Sequence, residues 1–190
     1  DMATIVSHRD ERPRAAVNQH DHIPFAELHA CSAYSFLRGA SSPAEMVDSA
    51  AELGLEALAL VDRDGVYGAV QFAEAAADSG IGTIFGAELT LTQPVSSPQA
   101  VASKNERILT VLCRGAEGYR RLSRVISEAH MCTGEKNEVR YPPIDELARR
   151  GGDHWIILAD YSWTPHLDEL VEHFPRVVVE LDRLLVPDDA

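Results

Sequence analysis

Three residues with metal-binding side chains lie near the ends of predicted strands. His29 and Cys31 are two positions apart on the first predicted strand, so both side chains would point to the same face. Glu88 lies towards the end of the third predicted strand. An imidazole, a thiolate and a carboxylate could together hold a divalent ion that activates water. A packed histidine, a small buried cysteine and a solvated glutamate would explain the same residues without a metal.

The turn after the second predicted strand carries two carboxylates. Asp62 and Asp64 flank Arg63 and could act as a paired acid and base. Carboxylates in such a turn also accept hydrogen bonds from the backbone, and we favour this structural interpretation for both residues. They are therefore expected on the rim of a site.

Strands and helices that would position these residues alternate along the chain. Short apolar runs predict strands at 25–31, 57–63, 82–91, 107–113, 154–160 and 176–181. Helical spacing of apolar residues predicts helices at 43–53, 68–79, 115–131, 143–150 and 165–173. This order indicates an α/β protein with a mostly parallel sheet, either open and doubly wound or part of a β/α barrel. Either sheet would gather the strand ends at one edge.

The composition is that of a globular protein. The 190 residues are 45% hydrophobic and 25% charged, and no apolar run has the length of a membrane span. Cys31, Cys113 and Cys132 form no CxxC pair, which favours a reducing cytoplasm. Residues 1–24 are polar and are expected to form a flexible arm, followed by a folded domain over 25–190.

The charge balance argues against a DNA-gripping module. A net charge of −13 repels phosphate backbones unless the few cations cluster. Arg120, Arg121 and Arg124 on the third predicted helix, with Lys104, could form a small positive patch for a partner or nucleic acid. A solvated helix face is the simpler interpretation of these residues.

Three long phrases resemble a known family. They are ELHACSAYSFL at 27–37, LGLEALALVDRDGVYGAV at 53–70 and FGAELTL at 85–91. They are similar to the polymerase and histidinol phosphatase (PHP) domain, in particular to its version at the amino terminus of error-prone, damage-inducible bacterial C-family DNA polymerases. The resemblance extends over residues 24–186 and implies a distorted seven-stranded β/α barrel. In active members the inner rim holds zinc, manganese or iron and hydrolyses phosphoesters.

The sequence departs from the family at the metal ligands. His29 is kept from the family's H-x-H pattern, whereas Cys31 replaces its second histidine. Arginine occupies three further ligand positions: Arg38 in place of the aspartate of L-D-G, Arg63 in place of the histidine of T-D-H, and Arg107 in place of a histidine before the fourth strand. A guanidinium group cannot bind a metal ion, so the resemblance implies fixed positive charge in place of ligands.

Glu88 is the carboxylate that remains at this site. We expect Arg63, together with Arg38 or Arg107, to pair with Glu88 where active relatives hold metal. The alternative is that these arginines extend into solvent from a degenerate rim. The family's last ligands would lie beyond residue 190, so the barrel is predicted to be incomplete at its C-terminus.

The resemblance implies a structural and interaction domain without phosphoesterase activity of its own. Its partners would be the palm and thumb domains of the same polymerase, with other translesion-synthesis subunits as further candidates. That full-length enzyme would use magnesium, and the chain would contact DNA only as part of it. The alternative is a phosphoesterase or 3′–5′ exonuclease-like hydrolase that uses His29, Cys31 and Glu88 with zinc or manganese. A decayed relative with no task of its own is a third interpretation.

Overall fold

The computed structural model describes residues 24–92, 106–132, 134 and 138–181. These residues form a mixed α/β fold around a six-stranded sheet in which the strands follow chain order. The strands are β1 (Ala26–Ala30), β2 (Ala57–Arg63), β3 (Gly82–Thr92), β4 (Glu106–Cys113), β5 (Trp155–Ala159) and β6 (Val177–Val179). The helices are α1 (Pro43–Leu53), α2 (Ala69–Ala76), α3 (Gly115–Met131), α4 (Ile144–Gly151) and α5 (Leu167–His173), with 3₁₀ turns at Gly152–His154 and Tyr161–His166. The predicted arm at 1–24 lies almost wholly outside the described residues.

The sheet is mostly parallel, as the sequence predicted, with one strand reversed. β1, β2 and β3 are parallel, and so are β5 and β6, but β4 is antiparallel to both of its neighbours. No helix is predicted between β3 and β4, so β4 can return along β3, with Thr92 paired to Glu106. Two helices then bring the chain back to the end of the sheet at which β4 finished, where Cys113 pairs with Trp155.

The helices cover one face of the sheet. α1 begins with the predicted capping box, in which Ser42 and Glu45 satisfy each other's backbone N–H groups, and it ends at Gly54 with a left-handed φ of 73°. Two apolar clusters lie between helices and sheet: Val47, Ala50, Leu58, Leu60 and Phe72 in one, and Leu89, Leu109, Val111, Leu122, Leu147, Trp155 and Trp163 in the larger one. None of the described helices has the length and apolar character needed to cross a membrane.

The sheet curls so that its other face is concave. Ala59, Val61, Leu112 and Leu158 form a separate apolar cluster on this face. In a flat sheet, strands at opposite edges of six would lie about 24 Å apart. His29 on β1 nevertheless approaches Glu180, directly after β6, with 2.7 Å between Nδ1 and Oε2. The described residues therefore form a curled half-barrel, while a seventh strand and an incomplete C-terminus stay predictions, because residues 182–190 lie outside them.

Candidate functional site at Glu88

Side-chain alternation along the strands places the site on the concave face. Successive residues of a strand point to opposite faces, so Arg63 shares the face of Val61. Arg63 is paired in register with Glu88 on the neighbouring strand. His29 reaches the same place from the end of β1. Three functional side chains thus converge where parallel strands end, as the sequence predicted for this type of sheet.

Glu88 is a buried carboxylate surrounded by cations. It is 2% exposed, and its Oε2 atom accepts hydrogen bonds from Arg38 Nη1 at 2.6 Å and from Arg63 Nε at 3.2 Å. Its Oε1 atom lies 3.0 Å from His29 Nε2. Burial alone would raise the pKa of Glu88, but the hydrogen bond with His29 and the charges of both arginines outweigh it and lower the pKa. Glu88 is therefore ionised and balanced by its neighbours.

His29 bridges two carboxylates. Its Nε2 faces Glu88, and its Nδ1 faces Glu180 at 2.7 Å. The hydrogen bond to Glu88 raises the pKa of His29 to about 9, with a further contribution from Glu180 and against the opposing effect of burial. At neutral pH the ring is an imidazolium that donates from both nitrogens, and such a ring has no lone pair for a metal ion.

The candidate trio of metal ligands is not assembled. β1 ends at Ala30, so Cys31 lies just beyond the strand. Burial raises the pKa of the Cys31 thiol, against the opposing effect of the Arg38 charge. Within the described ranges, no group of three or more His, Cys, Asp or Glu side chains could hold a metal ion.

A short loop after β1 carries Arg38 to the site, and Asp62 anchors that loop. Asp62 is 1% exposed. Because side chains alternate along β2, it lies on the helix-covered face, opposite to Arg63. Its carboxylate accepts hydrogen bonds from the Ser32 backbone at 2.8 Å, the Ser32 hydroxyl at 2.8 Å and the Ser35 hydroxyl at 2.7 Å. Ser35 Oγ in turn accepts from the Arg63 backbone N–H at 3.0 Å. Asp62 thereby holds the position of both arginine-bearing segments.

Removal of the Asp62 carboxylate is expected to destabilise the chain strongly. Asp62→Ala leaves a buried backbone N–H and two hydroxyls without their acceptor, and we expect a loss of about 3 kcal/mol in the free energy of unfolding. Urea denaturation followed by circular dichroism measures it. Asp48→Ala, at an exposed position of α1, is the matched control and should change stability by less than about 0.5 kcal/mol. Equal effects of the two changes would contradict the anchoring role.

The same loop requires glycine at position 39. A Cβ added to Gly39 would lie 2.0 Å from the Ser32 carbonyl oxygen and 2.7 Å from that of Cys31. Gly39→Ala should therefore displace the loop, withdraw Arg38 from Glu88 and cost about 2 kcal/mol of stability. Urea denaturation checks the cost, with Ser41→Ala in the same loop as control. A Gly39→Ala protein as stable as the control would show that the loop adapts without strain.

Arg107 does not reach Glu88. On β4 it shares the helix-covered face with Leu109 and Val111, two and four residues further along the strand. Its Nη1 lies 3.3 Å from Glu169 Oε2, and its guanidinium lies 4.8 Å above the centre of the Trp163 ring. The alternation of side chains along β4 thus puts Arg107 on the opposite side of the sheet from the site. The expected contact between Arg107 and Glu88 is absent for this reason.

Asp64 is separate from Asp62 and does not form a pair with it. Its carboxylate accepts hydrogen bonds from the Thr90 backbone at 2.8 Å and the Thr90 hydroxyl at 2.7 Å. Its φ of 50° lies in the left-handed region, and its carbonyl lies 2.7 Å from His130 Nε2. These contacts agree with the structural interpretation of the two carboxylates.

Sequence reasoning missed three residues of the site. Ser32 and Ser35 lie between the predicted first strand and first helix and carry no spacing that reveals their common acceptor. Glu180 is the next-to-last residue of the last predicted strand, and its contact with His29 spans 151 positions of sequence. Only the curvature of the sheet could have revealed that contact.

Comparison with known proteins now decides the family. The model of the PHP domain family matches residues 27–188. The chain belongs to the PHP domain family. This PHP chain is 54% identical over 169 residues to an error-prone DNA polymerase of Corynebacterium efficiens. The match covers 88% of the chain and 14% of the relative. It is 45% identical over 182 residues to an error-prone DNA polymerase of Corynebacterium glutamicum, covering 95% of the chain and 16% of the relative.

The relatives are much longer than this PHP chain. The relative from Mycobacterium tuberculosis, also named error-prone DNA polymerase, is 54% identical over 138 residues, which cover 72% of the chain and 12% of the relative. The chain thus spans about one seventh of the length of the curated relatives it matches. Most of the length of each relative therefore lies outside the region that this chain matches.

Solved structures agree on the fold. An amidohydrolase from Chromobacterium violaceum aligns with a TM-score of 0.55 at 14% identity, over 79% of this chain and 73% of that one. A protein from Bifidobacterium adolescentis, named as a candidate metal-dependent phosphoesterase, aligns with a TM-score of 0.53 at 14% identity. The alignment covers 81% of this chain and 76% of that one. At this level of identity the likeness concerns the fold alone.

Proposed function

We propose that this chain is the PHP region of a longer error-prone DNA polymerase, in which it is a structural and interaction domain with no phosphoesterase activity. The observation that carries the proposal is the pair of guanidinium groups on Glu88 Oε2. Within the full-length protein, the PHP region would contact the palm and thumb domains. Other translesion-synthesis subunits are further candidate partners. The polymerase reaction, with magnesium and DNA, would belong to the other domains, in the cytoplasm.

The donor set at Glu88 does not fit a divalent metal ion. Both carboxylate oxygens already accept hydrogen bonds from cationic groups, and an added dication would lie beside two fixed positive charges. Arg38 and Arg63 have no lone pair to offer, and His29 is protonated at neutral pH. The arginines instead balance a carboxylate that would otherwise be buried with its charge uncompensated, at a cost of several kcal/mol.

Ion content and hydrolysis together test this function. The purified chain is incubated with zinc and manganese, dialysed against metal-free buffer and analysed by plasma mass spectrometry, and it is then assayed on a 3′-labelled oligonucleotide. We expect well under one ion per chain and no release of 3′-terminal nucleotides. One or more bound ions and hydrolysis, both lost in His29→Ala but kept in the exposed control His166→Ala, would replace the proposal with a metal-dependent phosphoesterase.

A further inference from the structure

A groove between α3 and α4 gathers many of the chain's cations. Its volume is about 410 Å³, and five arginines line it: Arg120, Arg121, Arg124, Arg149 and Arg150. Two glutamates, Glu117 and Glu128, also line it. The chain has only 17 lysines and arginines against 30 acidic residues, so this concentration stands out from the overall charge of −13. The predicted patch residue Lys104 lies outside the described residues.

Two of the arginines have structural contacts. Arg121 donates to Glu117 at 2.6 Å and to the Arg150 carbonyl at 3.0 Å, which ties α3 to α4. Arg150 donates to Glu146 at 2.9 Å through Nε and also pairs with Glu128. These two guanidinium groups thus use most of the carboxylates available near the groove.

The other three arginines are presented to solvent. Arg120 is 68% exposed and shares Glu117 with Arg121, and Arg149 is 73% exposed and lies 3.9 Å from Glu146. Arg124 is exposed and has no ion pair within the described part of the chain. Three glutamates therefore serve five arginines, which leaves a net positive surface whose outer members are exposed to solvent.

We propose that this arginine groove binds the phosphate backbone of DNA. The choice of DNA among polyanions rests on the proposed function, because DNA is the substrate of a DNA polymerase. Guanidinium forks match phosphate oxygens and bind them through paired hydrogen bonds. None of the residues lining the groove is aromatic, so it offers no platform on which bases could stack. Binding is therefore independent of sequence and relies on charge.

The test measures binding of fluorescein-labelled single-stranded and duplex oligonucleotides to the 190-residue chain by anisotropy. The titrations are run with a chelator over a range of salt concentrations. The variant Arg120→Gln/Arg124→Gln/Arg149→Gln removes the three outer cations. The control Arg114→Gln/Arg140→Gln/Arg176→Gln removes the same charge from exposed positions elsewhere. Circular dichroism checks that both variants are folded.

We expect the groove variant to bind at least about tenfold more weakly than the unchanged chain, with a salt slope reduced by about 3. The control should bind within about threefold of the unchanged chain. Absence of binding at low salt, or equal weakening in both variants, would overturn the proposal. So would equally tight binding of poly-glutamate, which would assign the groove to an acidic protein. The chelator keeps these results independent of the ion content that tests the proposed function.

Discussion

Replacing Arg38 with aspartate and Arg63 with histidine is expected to give the chain a tightly held zinc or manganese ion. The double variant removes the two cations that contact Glu88 and supplies a carboxylate and an imidazole in their place. His29 loses two positive neighbours but keeps its carboxylate neighbours, and it can then deprotonate to bind the ion. The ion content measured by plasma mass spectrometry after dialysis should rise from well under one ion per chain to about one.

A neutral double variant is the matched control for this change. Arg38→Asn/Arg63→Gln also removes both charges but supplies only amide groups, which are weak ligands for zinc. It should remain free of tightly held metal. An ion in the control as well as in the ligand-bearing variant would mean that loss of charge alone creates the site. Absence of metal from both would contradict the idea that the arginines stand at former ligand positions.

Neutralising Glu88 is expected to destabilise the chain strongly. Glu88→Gln keeps the size of the side chain but leaves Arg38 and Arg63 without the carboxylate that balances them, and it leaves His29 with Glu180 alone. Breaking a buried ion pair from one side costs about 3 to 5 kcal/mol, and the partial exposure of both arginines favours the lower end of this range. We therefore expect a loss of about 3 kcal/mol, measured by urea denaturation.

Two further variants show whether charge causes this loss. Glu52→Gln, at an exposed position of α1, should change stability by less than about 0.5 kcal/mol. Glu88→Gln/Arg63→Gln should recover part of the loss, because one unbalanced cation has been removed. A double variant less stable than Glu88→Gln alone would show that Arg63 stabilises the chain by packing and not through Glu88.

Sequence alone predicts the elements well because local signals set them. The capping box at Ser42 and the glycine at position 54 fix the ends of α1, and the apolar spacing of 115–131 gives α3 its full length. The reversed direction of β4 was not predicted, because the strand run at 107–113 carries no information about the direction in which it pairs. The one sequence signal for an antiparallel return was that no helix is predicted between the third and fourth strands.

The site was accessible to sequence reasoning only in part. Arg63 and Glu88 lie in register on two neighbouring parallel strands, and the predicted contact between them is present. That these arginines take the place of metal ions stays a proposal. Arg107 was expected at the site from the family resemblance alone, but alternation along β4 turns it to the helix-covered face. The contact between His29 and Glu180 depends on how far the sheet curls, which no local pattern encodes.

The central claim is that Arg38 and Arg63 neutralise Glu88 in place of metal ions. Anomalous diffraction from crystals soaked in zinc and in manganese tests this claim most directly. The measurement locates ions and side chains in the same experiment. We predict no anomalous peak within bonding distance of Glu88, and we predict that the guanidinium groups of Arg38 and Arg63 remain hydrogen-bonded to its Oε2 atom. An anomalous peak from an ion bound by Glu88 and His29, with both arginines displaced towards solvent, would contradict this claim.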